Sequence, residues 1–319
     1  MTARTGVLVS AFRKFLESEF PDAQITQLSD TNNVVFQVSS PEVGRIVAKH
    51  VTDTDIPLGY LARANKTLTK HIPVQRVMKV FETDKGDPFD ATFSEFIAGQ
   101  NLADQLESGT APADDEIVGN LCRYVSACTH LPRLYEGFGL YKRSASPWPT
   151  HREFVEHYGR RYWNRARPFY EGTEVAVAVD RWLDGGFAAA AERNPAPFRT
   201  ISADANLKNW VVEPDGHLRL LNVPIAGLST PAHGVGAVSL HLRGSDLHKK
   251  FLDAASVTLC EGDIAMVPHY ELWGLLGILS FYAVREPDRR EHWEKWGSDV
   301  PLDVDFRQLV ESEIMPVVM

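Results

Sequence analysis

Asp204, Asn206, Lys208 and Asn209 lie close together in the stretch from Ile201 to Asn222, ISADANLKNWVVEPDGHLRLLN, which Asn222 closes. A carboxylate can accept a proton, an ammonium can hold negative charge, and amide oxygens can serve as ligands for hard cations. What such groups can do depends on how they are held. Trp210, Val211 and Val212, then Pro214-Asp215-Gly216, then Leu218, Leu220 and Leu221 read as strand, tight turn, strand. This hairpin would put Asp204 and Asn209 on the loop before its first strand and Asn222 at the end of its second. The D-x-x-x-x-N spacing alone is short and common, so the elements that would have to face it carry the argument.

Those elements lie upstream. Gln24 to Leu28, Ser29 to Asn33, and Val34 to Ser39 read as strand, turn, strand, and Ile46-Val47-Ala48-Lys49 as a third strand ending in a lysine. Asp84 to Asp90, with its Pro and Gly, reads as a hairpin loop. Phe93 to Gly99 then leads into a helix from about Leu102. At the N-terminus Val7, Val9, Phe12, Phe15 and Leu16 lie near helical spacing, which predicts an amphipathic first helix rather than a signal segment.

In this order the pieces resemble the aminoglycoside phosphotransferase and choline kinase-like superfamily. The resemblance implies an α+β, two-lobed protein-kinase-like fold with a small β-rich N-lobe over 1–95 and a larger helical C-lobe over 96–319, which carries the catalytic-loop equivalent 201–222. It implies that Asp204 is the base that takes the acceptor hydroxyl's proton, Asn209 a metal-ligand amide and Lys49 the lysine on the ATP phosphates. Thr31, Asn32 and Asn33 correspond to the end of the nucleotide-covering loop, and Glu95 to Gly99 to the hinge. Ser202 stands where the family has its first His, and Asn206 where it often has a second.

The sequence departs from the family where metal and ATP are handled. Asn222 replaces the Asp that holds magnesium, and a neutral amide is a much weaker ligand for that ion. The loop Ser29 to Asn33 lacks glycine, which usually lets a chain approach phosphates closely. The helix expected between Ile56 and Lys70 has no acid to pair with Lys49, although Asp53 and Asp55 just precede it.

The chain of 319 residues is 44% hydrophobic and 24% charged, an ordinary composition for a globular protein large enough for two lobes. Its formal net charge of −9 argues against general nucleic-acid binding. The longest apolar run, about Leu272 to Val284, is too short to span a bilayer and predicts a buried helix. Cys122, Cys128 and Cys260 have no pairing pattern, and with no signal core the expected location is cytoplasmic. No metal-site cluster is visible. His130, His233, His241, His248 and His269 are scattered without ligand spacing, and His233 falls in the segment resembling the family's second acidic motif, which here has no Asp.

One segment is basic. Lys142, Arg143, Arg152, Arg160, Arg161, Arg165 and Arg167 are opposed within it only by Glu153 and Glu156, with Trp148, Phe154, Tyr158, Tyr162 and Trp163 interleaved. A solvated helix with a packed aromatic stripe accounts for most of these residues. A basic wall beside the loop would favour an anionic substrate over a polycationic aminoglycoside.

The first expectation is therefore a repurposed kinase-fold enzyme acting on an already phosphorylated substrate: β-elimination of phosphate from phospho-Ser or phospho-Thr of a biosynthetic peptide, giving a dehydroamino acid, with cyclisation by thiol addition as a further step. Lys49, Lys208, Arg152, Arg160 and Arg161 would hold the phosphate with Asn206, Asn209 and Asn222, and Asp204 or a lysine would act as base. That chemistry needs no metal and no ATP cofactor, and it implies a phosphorylated peptide partner and a separate partner kinase, with no nucleic acid and no membrane. The alternative is an ATP-dependent phosphotransferase, with ATP and Mg as cofactors, acting on a small-molecule or peptide hydroxyl. The third is a non-catalytic pseudokinase that binds a partner or peptide.

Overall fold

The computed structural model describes residues 3–29, 33–51, 56–142, 147–193, 197–203, 205–221 and 223–285. Helix α1 (Ala3–Glu19) precedes three antiparallel strands, β1 (Gln24–Ser29), β2 (Val34–Ser40) and β3 (Gly44–His50). Helix α2 (Leu58–Leu68) follows, then the hairpin β4 (Val77–Phe81) and β5 (Ala91–Glu95). The five strands form one sheet in the order β1-β2-β3-β5-β4. Its register sets Phe36 beside Ala48 and Ala48 beside Phe93. Because side chains alternate across a strand, these three share one face. That face packs on Phe12 and Leu16 of α1, closing a core that also takes in Val38, Ile46 and Phe81.

After Glu95 the chain runs through a short strand β6 (Gln100–Asn101) into α3 (Leu102–Ser108) and α4 (Asp114–Cys128), then β7 (Gly139–Leu140), α5 (His151–Ala166), α6 (Glu174–Arg181) and α7 (Phe187–Arg193). Next come β8 (Arg199–Ser202), β9 (Trp210–Val212), β10 (Leu218–Leu220) and β11 (Ala226–Ser229), and then α8 (Pro231–Ser239), α9 (Asp246–Ser256) and α10 (Glu261–Arg285). The strands make two small sheets, β10-β9-β6 and β7-β11-β8. Among the described residues no helix is long and apolar enough to cross a membrane.

The fold is the mixed, two-lobed arrangement expected, with a small antiparallel sheet at the N-terminal end and a helical remainder. Among the described residues the sequence-predicted helices and strands fall near their places, while the turn at 30–32 lies outside them. The apolar run at 272 is the second half of α10, which begins eleven residues earlier and continues through Pro268. A capping box at Thr150 and Glu153 starts α5, whose Phe154 and Tyr158 face Trp273 of α10. Helix α8 crosses α10 so closely that a Cβ on Gly236 would lie 2.8 Å from that of Tyr270.

The two hydrophobic cores do not divide the chain at residue 95. Tyr60, Ala64 and Leu68 of α2 belong to the core of the helical lobe, with Leu102, Leu121 and Tyr124. The strap that follows α2 is tied to the β9–β10 hairpin: the Leu220 amide donates to the Pro73 carbonyl at 3.1 Å and the Gln75 amide to the Leu220 carbonyl at 2.7 Å. Asn65 fixes α2 to this strap through Nδ2 to the Gln75 carbonyl at 2.8 Å, while its Oδ1 accepts the Val77 amide at 2.9 Å.

Candidate active site

Lys49 lies on the central part of the five-stranded sheet, opposite Val35 of β2 and Thr92 of β5. Its neighbours Ala48 and Ile46 point to α1, so the alternation of the strand puts the half-buried Lys49 on the other face. α2 carries no acid, as its sequence required, and Asp53 and Asp55 lie outside the described residues. The buried acid nearest the start of α2 is Glu82, whose Oε1 accepts the Gly59 amide at 3.2 Å and whose Oε2 pairs with Lys85. A carboxylate at a helix N-terminus satisfies an otherwise orphaned donor. Nothing in the sequence pattern pointed to Glu82, which comes from the far side of β4.

In the larger lobe the 203–209 loop joins β8 to β9. Its backbone is pinned at both ends: the Ala203 amide donates to the Ile225 carbonyl at 2.8 Å and the Leu221 amide to the Asn209 carbonyl at 2.7 Å. Asn206 Oδ1 accepts the Lys208 amide at 2.9 Å and starts a single 3₁₀ turn, Leu207–Asn209, which the Asn209 amide closes on the Asn206 carbonyl. Lys208 and Asn209 are half-buried, and Ala205 and Leu207 anchor the loop in the core. Asp204 and Asn222 lie outside the described residues, as do Thr31 and Asn32. Asn33 is described, and its buried Oδ1 has no hydrogen-bond partner among the described residues.

Two residues hold the loop that sequence reasoning did not single out for it. Tyr124 of α4 shares a 2.6 Å hydrogen bond with Ser202, the last residue of β8, and its ring meets that of Trp210, the first of β9, edge to face at 5.5 Å. One buried aromatic thus touches both ends of the loop. Ser202, which stands where a histidine was expected, is used as the attachment point.

The hinge segment is tied down at Glu95. Its carbonyl accepts Gln75 Nε2 at 2.7 Å, and its Oε1 accepts both the Arg76 amide at 2.8 Å and Arg219 Nη1 at 3.3 Å. Gly99 adopts φ +149°, and a Cβ there would collide with the Val212 carbonyl, so β6 can pair with β9 only with glycine at this turn.

Three arginines of the basic segment are held by acids. Arg152 is held by Glu156 at 2.9 Å and Glu192 at 3.1 Å, Arg160 by Asp184 at 3.0 Å, and Arg167 by Asp180 at 2.9 Å. Arg161 is exposed on α5 and Arg143 lies outside the described residues. Apart from Glu156, these acids come from α6, α7 and the turn between them, beyond the segment in which charge was counted. For Arg152, Arg160 and Arg167 the premise of an unopposed charge is therefore corrected.

Among the described residues no group of three or more His, Cys, Asp or Glu side chains is placed to hold a metal. The described oxygen donors of the loop are neutral amides, one of them already accepting a backbone amide. On their own they are a poor set for magnesium.

No protein-family model matches the sequence, and neither does any curated protein. Solved structures do. The aminoglycoside phosphotransferase APH(4)-Ia is similar with a TM-score of 0.67 over 97% of this chain and 98% of its own, at 15% identity. A choline/ethanolamine kinase family protein from Mesorhizobium loti gives 0.62 over 97% and 93%, at 12% identity. An ethanolamine kinase from Plasmodium vivax gives 0.54 over 95% and 83%, at 10% identity. At such identities the likeness is one of architecture, and on that footing the chain has the two-lobed protein-kinase-like fold of the aminoglycoside phosphotransferase and choline kinase structures.

Proposed function

We propose that this protein is an ATP-dependent phosphotransferase that passes a phosphoryl group to a hydroxyl of a small molecule or peptide. The observation that carries this reading is the extent of the structural likeness. It spans nearly the whole of this chain and of an aminoglycoside phosphotransferase solved in ternary complex with AMP-PNP and hygromycin B. Within that frame Lys49 is set on the sheet and the 203–209 loop is pinned at both ends. Lys49 would hold nucleotide phosphate as a fixed point charge, and Lys208 would add a second cation beside the loop. Asp204 would take the proton of the acceptor hydroxyl. Magnesium, when bound, neutralises phosphate charge, and in this chain it would depend on the nucleotide's own oxygens together with Asn209 and Asn222.

Elimination from a phosphorylated peptide, the first expectation from sequence, drew its phosphate-holding cations from Lys49, Lys208, Arg152, Arg160 and Arg161. Arg152 and Arg160 already have carboxylate partners, and the neighbouring folds are those of kinases, so transfer is the better reading. Titration of the protein with AMP-PNP and magnesium, in a calorimeter, tests it. Saturable binding that weakens at least about tenfold in Lys49→Ala, with phosphate transfer from ATP to an acceptor, is the expected result. A folded protein that binds no nucleotide would sink it.

A further inference from the structure

We infer, on the footing of the phosphotransferase reading, that Tyr124 is a positioning residue for the transfer step: through Ser202 its hydroxyl fixes the entry of the 203–209 loop, so that losing it slows turnover while nucleotide still binds. Asp204, Lys208 and Asn209 all lie between Ser202 and Trp210, the two residues that Tyr124 touches. The two parts of the side chain serve different ends of the loop. The hydroxyl, 2.6 Å from Ser202 Oγ, acts on the entry, and the ring, edge to face with Trp210 at 5.5 Å, acts on the exit. Tyr124 and Trp210 are fully buried and Ser202 is 2% exposed, so solvent does not compete for the bond.

Serine makes this tether short. Its hydroxyl oxygen is carried on Cβ, so the bond restrains the backbone at Ser202 with little slack, and tyrosine has few rotatable bonds with which to yield. The Cys128 thiol, one turn on along α4, hydrogen-bonds the same hydroxyl and holds it from the helix side. Just past Ser202 the Ala203 amide donates to the Ile225 carbonyl at 2.8 Å, and Asp204 follows. The exit of the loop is held without the hydroxyl. Trp210 pairs with Leu220 across the hairpin, the Leu221 amide donates to the Asn209 carbonyl at 2.7 Å, and the 3₁₀ turn Leu207–Asn209 closes on Asn206. Lys49 stands on the five-stranded sheet, between β2 and β5. Removing the hydroxyl alone therefore loosens the Asp204 end and leaves Asn209 and Lys49 in place. Taking a proton from the attacking hydroxyl depends steeply on placement, whereas nucleotide affinity draws on Lys49 and Asn209.

The test compares the full chain as wild type, Tyr124→Phe, Ser202→Ala, the double variant and Ile117→Val. The last removes one methylene from the same helix and the same core, two turns before Tyr124, and serves as control. AMP-PNP affinity is read in a calorimeter with magnesium, and loop order by hydrogen exchange at the Ala203 and Leu221 amides. Turnover is read as ADP formed from ATP with water as acceptor: the bond from the γ-phosphorus to ADP breaks, one to the water oxygen forms, and the water proton passes to Asp204. Tyr124→Phe is expected to lower kcat about tenfold or more, with AMP-PNP affinity and KM for ATP little changed, and to speed exchange at Ala203 but not at Leu221. Ser202→Ala should match it, the double variant should fall no further, and Ile117→Val should behave as wild type. A kcat that does not fall in Tyr124→Phe, additive losses in the double variant, equal loss in Ile117→Val, or unchanged exchange at Ala203 would overturn the assignment. A wild type that binds no AMP-PNP would instead sink the phosphotransferase reading, with exchange at Ala203 still reporting whether Tyr124 holds the loop.

Discussion

Single side chains decide the two chemical peculiarities of this protein. On the sequence resemblance Asn222 replaces a magnesium-binding Asp, and if the proposed transfer holds, Asn222→Asp should lower the magnesium needed: AMP-PNP binding titrated against magnesium should reach half-saturation at a concentration about tenfold lower or less. No change would mean that the site does not use this position. The other peculiarity is a buried hydroxyl between two imidazoles. His151 Nε2 and His233 Nδ1 each lie 2.9 Å from Ser229 Oγ, with Tyr270 Oη 3.3 Å from His151 and the His233 ring stacked on Tyr270. Burial pushes His151 down to about 4, and burial together with the neighbouring His151 pushes His233 down to about 3. Both imidazoles are therefore neutral in the fold but would charge near 6.5 in the unfolded chain. The unfolded state binds more protons from about pH 6.5 down to about 4 for His151 and about 3 for His233, so stability is fully present above that window and falls as pH is lowered through it. His151 alone accounts for on the order of 3 kcal/mol, enough to threaten a marginally stable protein. Urea unfolding at pH 7 and at pH 4.5 should show this loss, and it should shrink in His233→Phe; an unchanged midpoint would refute it.

Among the elements, the least forgiving joint is the meeting of β6 with β9. Gly99→Ala should destabilise the protein by about 2 kcal/mol or more, since it combines an unfavourable φ with a backbone collision. A thermal midpoint within a degree of wild type would show that the joint relaxes. Asn65→Ala removes both side-chain ties of α2 to the strap and should cost about 2 kcal/mol, measured by urea unfolding at pH 7. At this scale much was legible from sequence. The alternation in β2 and β3, the Pro-Asp-Gly turn and the 3.6-residue spacing of Phe154, Tyr158 and Tyr162 are local signals, and the structure follows them. What escaped were relations between distant positions. Tyr124 and Ser202 are 78 residues apart, and no spacing rule joins them. Glu192 and Asp184 reach back to Arg152 and Arg160 from other elements, so a charge count within one segment exaggerated its field. The short strands β7, β8 and β11 are paired through Gly139, Gly227 and a few neighbours, too few residues for alternation to register.

The whole molecule is built on two cores of unequal size. The smaller joins α1 to the five-stranded sheet, chiefly through Phe12, Phe36, Phe81 and Phe93, while the larger takes in α2 and most of the described helices and strands from Leu102 to Leu279. Native-state hydrogen exchange should report the difference: amides of β1 and β2 should open at lower free energy than those of α5, α8 and α10, and uniform protection would show that the cores unfold as one. The exposed residues Thr83 to Gly86 lie between β4 and β5, yet the sequence on their N-terminal side includes α2, embedded in the larger core, and the strap bonded to Leu220. β5, on their C-terminal side, is clasped by β3 and β4. A polypeptide interrupted after Lys85 would therefore consist of two interlocked fragments, each completing the other's fold. Neither lobe can be lifted away as a separate module, and the protein lends itself to complementation between halves that are silent apart and assemble when brought together.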